Sequence, residues 1–132
     1  MTLLIMFRLS TKADYGLILL SNLSRSKKLT SISSVAKKNK ISAKFLSQIA
    51  ADLKHAGILV SKEGMSGGYS LAKKPKDIKL LDVLQILDGE LVEGKCFEEG
   101  HECICGAGDM WADMKEQINE TLGKKTVADL VA

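Results

Sequence analysis

The sequence predicts a mostly α fold with a small β-hairpin wing, a winged helix-turn-helix plus a C-terminal dimerisation helix, and three observations predict it. Two serine-led helical stretches, from Ser31 or Ser33 to Lys38 and from Ser42 to Ala56, are joined by a turn of a few residues. A glycine-rich run, Gly64-Met65-Ser66-Gly67-Gly68, separates two short β-forming runs. Near the end, Met110, Trp111, Met114, Ile118 and Leu122 recur at helical spacing.

Each element has a local reason. Ser10 can cap a first helix to about Leu23, whose Tyr15, Leu17, Ile18, Leu19, Leu20 and Leu23 cover more than one face, so it is buried on two sides by the core or by a second subunit. The second helix carries Ile32, Val35 and Ala36 and ends in Lys37-Lys38-Asn39-Lys40, where Asn39 tolerates a left-handed turn and the lysines suit the negative helix end. The third buries Phe45, Leu46, Ile49, Ala50 and Leu53, leaves Lys44, Ser47, Gln48, Ala51, Lys54 and His55 opposite, and stops at Gly57. Ile58-Leu59-Val60 and Tyr69-Ser70-Leu71 then form the hairpin. Pro75 ends this unit and 80–87 form a short helix, with an acidic linker between Gly89 and Gly94. A helix begins at about Asp109 and stops at Gly123. Its apolar stripe needs either a partner or the rest of the chain to cover it, and Thr126 can cap a last turn. The divisions expected are 6–78 for the winged helix-turn-helix, 79–94 for the short helix and linker, 95–108 for a cysteine loop and 109–132 for the dimerisation helix and C-terminal turn.

At 132 residues there is room for one domain and an appendage. Charge is divided sharply: residues 1–80 hold 15 basic and 4 acidic side chains, residues 81–132 hold 4 basic and 12 acidic. The front half therefore suits a polyanion such as double-stranded DNA, although a solvated lysine-rich surface would look the same. In a helix-turn-helix, the second helix offers its N-terminal residues to the major groove, here Lys44, Ser47 and Gln48. The wing glycines satisfy positive backbone angles and, beside Lys62, let exposed backbone approach phosphates. The apolar stretch Leu3 to Phe7 is too short for a signal core or a membrane span, and no other run approaches membrane length.

All three cysteines, Cys96, Cys103 and Cys105, fall in one loop spaced C-x6-C-x-C, with His101 inside and glycines at 100, 106 and 108. An odd count of clustered thiols implies a reducing, cytoplasmic setting and a ligand or redox role. Thiolates suit an iron–sulfur cluster or zinc. The three cysteines plus His101 would complete a zinc tetrahedron, whereas a cluster would borrow a fourth ligand. A thiol–disulfide switch and three inert thiols stay open beside these. An enzyme is not expected, because there is no CxxC pair and no base–nucleophile set around His55 or His101.

In this order the motifs resemble one family, the winged-helix Rrf-two (Rrf2) regulators, which include the IscR- and NsrR-like iron–sulfur cluster regulators. The resemblance covers nearly the whole chain: Phe7 to Gly16 at the front, Ile41 to Leu46 at the start of the recognition helix, Gly64 to Tyr69 in the wing, then the cysteines, Trp111 and Thr126 to Leu130. It implies a homodimeric transcription regulator that holds a 2Fe–2S or 4Fe–4S cluster and senses cluster status, redox state or nitric oxide, with zinc or thiol sensing as the alternative. Cys96, Cys103 and Cys105 would be ligands. Asp14 of the partner subunit would be the fourth, or alternatively His101, because Gly108 stands where some relatives have histidine. Cys103 departs from the family's more even spacing. DNA contacts would come from Arg8, Lys12, Lys38, Lys40 and Lys62 on phosphates and from Ser42, Lys44, Ser47 and Gln48 at the recognition helix. Ser47 stands in place of a glutamate and Glu63 in place of a wing arginine, so the operator preference would differ. Met6 matches the family's usual start, so 1–5 would be either an extension or a start-site ambiguity.

Overall fold

The computed structural model describes residues 10–26, 28–65, 67–89 and 108–131, together with the backbone of 5–7 and 92–94. Helix α1 (Thr11–Arg25), α2 (Ile32–Asn39) and α3 (Ala43–His55) lead into a hairpin of β2 (Leu59–Lys62) and β3 (Gly68–Leu71), as the winged-helix expectation requires. Serine caps open all three helices. Ser10, Ser31 and Ser42 accept from the backbone N–H of Ala13, Ser34 and Phe45 at 3.1, 3.2 and 3.2 Å.

Core packing follows the periodicity. Leu19 and Leu20 of α1, Val35 of α2, and Leu46, Ile49 and Leu53 of α3 are buried in one cluster with Leu59, Ile78 and Val83. Tyr15 meets Phe45 edge-on with ring centroids 5.5 Å apart. Gly16 is buried where α1 crosses α4 (Leu80–Asp88), and a Cβ there would collide with Leu87 Cδ1, so glycine sets how closely the two helices approach.

Several details differ from the sequence reading. The left-handed residue between α2 and α3 is Lys40 (φ 57°), not Asn39. Asn39 stays helical and donates its amide to the Val35 carbonyl at 2.8 Å, a bond that favours the helical conformation. The hairpin is shifted and extended, with Leu59 opposite Leu71 and Lys62 opposite Gly68. Thr30 adds a further antiparallel bridge to Tyr69, the two exchanging backbone hydrogen bonds of 2.9 and 2.8 Å. Gly68 (φ +155°) makes that bridge possible, because a Cβ would strike the Thr30 carbonyl.

A second sheet was not anticipated. β1 (Ile5–Phe7) pairs antiparallel with β4 (Val92–Gly94), Ile5 opposite Gly94 and Phe7 opposite Val92. Close by, Ser10 Oγ donates to the Asp88 carboxylate at 2.6 and 2.8 Å, tying the end of α4 to the start of α1. Helix α5 (Gly108–Lys124) starts one residue early and runs through Gly123. The chain then returns along the start of α4: Leu80 N–H donates to Lys125 O and Val127 N–H to Ile78 O, both at 2.9 Å. Thr126 opens the closing 3-10 turn (Val127–Leu130), its N–H donating to Asp129 at 2.8 Å.

Candidate nucleic-acid interface and cysteine loop

Helix α3 is two-sided. Leu46, Ile49, Ala50 and Leu53 are sealed against the core, while Lys44, Ser47 and Gln48 stand exposed on the opposite face at its N-terminal end. Those three side chains offer a cation, a hydroxyl and an amide at i, i+3 and i+4 spacing, the donor and acceptor types that read base edges in the major groove. Ser42 is exposed but its hydroxyl is engaged as the α3 cap, so its first role is to begin the helix.

Among the described residues, the surrounding cations divide into paired and unpaired. Lys38 and Lys40 are exposed around the turn into α3, and Lys62 is exposed where β2 reaches the wing tip. Lys12 instead forms an ion pair with Asp52 at 2.9 Å. Asp52 is the one acidic residue of α3, so this pair neutralises the carboxylate that would otherwise oppose a polyanion along that helix. Both partners are partly solvated, and the stability gained is at most about 1 kcal/mol. Arg8 lies outside the described residues.

Sequence reasoning missed two features here. Arg25 joins Lys38 around a concavity lined by Asn22, Ser26, Thr30 and Ser34 at the α1–α2 junction. No short motif signals it, because its members come from 17 residues of chain folded back on themselves. Met65 stands fully in solvent at the wing tip, and an apolar residue inside a glycine turn was its available signal.

Cys96, His101, Cys103 and Cys105 lie outside the described residues. Their loop is anchored on both sides by described elements, β4 before it and α5 after it. As a donor set, three thiols with neighbouring glycines fit an iron–sulfur cluster. Asp14 is exposed in the first turn of α1, with no ion pair or side-chain hydrogen bond among the described residues. Among those residues no group of three His, Cys, Asp or Glu side chains forms a metal site, and no helix is long and apolar enough to cross a membrane.

Among the described α-helices, only α5 has no buried residue. Ile118 and Leu122 pack against Ala13 and Leu84, but Met110 and Met114 are 53% and 38% exposed.

The family model of Rrf2, an iron-dependent transcriptional regulator, matches residues 9–132. The chain belongs to the Rrf2 family. Among Rrf2 relatives, the protein rrf2 of Nitratidesulfovibrio vulgaris is 31% identical over 130 residues, covering 94% of this chain and 87% of its own. The solved structure of CymR, the global cysteine regulator of B. subtilis, superposes with a TM-score of 0.80 at 30% identity, covering 96% of this chain and 97% of that one. T. potens IscR superposes with a TM-score of 0.78 at 31% identity, over 95% of this chain and 86% of that one. These likenesses extend through the wing to the closing turn, so the protein is an Rrf2 transcriptional regulator of winged-helix fold and not an enzyme.

Proposed function

We propose that this regulator is a cytoplasmic homodimer that binds double-stranded operator DNA and senses iron–sulfur cluster status, redox state or nitric oxide through Cys96, Cys103 and Cys105. The observation that carries the reading is the loop holding every thiol of the chain, set between β4 and the under-covered helix α5. The family's description as iron-dependent supports the same reading. A bound cluster would supply an iron centre that reacts with oxidants and nitric oxide.

The chain's own residues do the rest. Lys44, Ser47 and Gln48 read base edges, while Lys38, Lys40, Lys62 and Arg8 hold phosphates and set the register. Lys12 acts on this face through Asp52, by keeping α3 free of net negative charge. The exposed methionines of α5 meet a second copy, which brings the partner's first helix, with Asp14, toward the loop as a fourth ligand; His101 is the alternative donor. Loss of a thiol ligand alters the loop between β4 and α5 and so the spacing of the two recognition helices. Operator half-sites ~34 Å apart make binding sensitive to that spacing.

A zinc- or thiol-redox-sensing regulator is the second reading, favoured by the single residue between Cys103 and Cys105, which departs from evenly spread cluster ligands. Anaerobic purification with visible and Mössbauer spectroscopy of wild type, Cys103→Ala and Asp14→Ala separates the two. A coloured wild type and a depleted Cys103→Ala support the cluster, whereas colourless, zinc-loaded protein supports the second reading. A full cluster in Asp14→Ala would remove that residue as a ligand.

A further inference from the structure

The wing tip carries chemistry that phosphate binding does not explain. Met65 has a relative exposure of 107%, the highest of the large exposed hydrophobic residues described. A methionine in that position stabilises nothing within the chain, since it buries no apolar area. Next to it, Gly67 N–H donates to Gly64 O at 3.0 Å. Gly64 takes φ +115°, and a Cβ on Gly67 would collide with the Lys62 carbonyl, so glycines narrow the loop on both sides of the methionine.

Electrostatics at the tip are nearly balanced, because Lys62 is followed directly by the exposed Glu63. Beyond Lys62 the tip therefore adds no further cation, and the contact Met65 can add is apolar. Behind it, Val60 is 48% exposed and shares the outward strand face with Lys62, two residues on. The track from Val60 through Lys62 to Met65 places one cation between apolar groups, on a chain whose first 80 residues carry 15 basic and 4 acidic side chains. That balance selects a polyanion as occupant.

We propose that Met65 is a specificity-determining residue that enters the minor groove beside the major-groove site of α3 and wedges against a base step. The proposal rests on the DNA-binding reading above. A helix fills the ~12 Å major groove, whereas the ~6 Å minor groove admits only a narrow element such as a glycine-walled turn. Methionine is among the apolar side chains that partly unstack base steps from the minor groove, and its flexible thioether adapts to the gap. Pyrimidine–purine steps unstack most readily, so the wing favours TA or CA/TG at the flank and disfavours stiff A-tracts.

The test uses the full chain and a duplex selected from a random pool, with 2-aminopurine placed at the flanking step. Wild type is expected to raise the probe's fluorescence and to prefer a TA flank over an A-tract flank. Met65→Ala is expected to lose about tenfold in affinity for the TA flank, to abolish the fluorescence rise and to keep the salt slope, since no phosphate contact is removed. Met65→Leu should restore binding to within about twofold of wild type, and Met65→Gln should not. Equal affinity and fluorescence for wild type and Met65→Ala, with binding still lost in Lys44→Ala, overturns the wedge alone. Absence of salt-dependent duplex binding by wild type overturns the wedge together with the DNA-binding reading.

Discussion

Helices α3 and α5 carry equally plain apolar periodicity, yet the fold treats them differently. In α3 four of the five stripe residues are sealed inside the chain, Leu46, Ile49, Ala50 and Leu53 each having 0% exposure, while Phe45 is half-buried against the same core. In α5 no described residue is buried; Ile118 and Leu122 of its C-terminal half pack on α1 and α4, while Met110 and Met114 of its N-terminal half stay exposed. A stripe at helical spacing therefore says that a face will be covered, not by what. For α3 the cover is intramolecular, which frees the opposite face for a ligand. The exposed methionines of α5 follow the cysteine loop in sequence, so cover from a second copy would link subunit contact to the thiols.

The largest effect that sharpens this contrast is Leu53→Ala, expected to cost about 2–5 kcal/mol of stability through cavity formation, read by denaturant unfolding. That loss should not depend on protein concentration. Replacing Met110 and Met114 together by lysine should instead weaken self-association by at least about tenfold while leaving the α3 core intact, as followed by sedimentation over a concentration series. Unchanged association would mean that the two ends of the molecule are not different in kind.

Smaller effects probe the exposed face of α3. Gln48→Ala should relax preference at one base position by about 1–3 kcal/mol, measured as the affinity ratio between matched and mismatched duplexes. Lys40→Gly keeps the left-handed turn that Lys40 now strains to adopt and removes one cation, so binding to all duplexes should fall together and the salt slope should drop by about 1. Lys12→Met should lower stability by no more than about 1 kcal/mol, yet weaken DNA binding by exposing the Asp52 charge. A fully retained affinity there would show that Asp52 does not face the polyanion.

What the sequence made legible was local. Serine caps at Ser10, Ser31 and Ser42 and the apolar spacing in α1 and α3 depend on neighbours within a few residues, and the structure realises them. Features built from distant partners were not readable. β1 and β4 are three residues each and pair across most of the chain, and the Ser10–Asp88 bond joins residues 78 apart. Asn39 and Lys40 show a subtler limit: residue preference favoured asparagine in the left-handed position, but a side-chain bond to Val35 holds Asn39 in the helix and passes that conformation to lysine. At the candidate interface the exposed α3 residues were legible from periodicity. The commitment of Lys12 to Asp52 was not, because an ion pair between two helices leaves no trace in either helix's own pattern.

Whether the cysteine loop controls DNA reading, as proposed, is decided by titrating one selected operator duplex with anaerobically purified protein before and after removal of its iron. Affinity or site preference is expected to change between the two forms, and Cys105→Ala to behave as the iron-free form whatever its treatment. Identical binding by both forms at every duplex would contradict the proposed control.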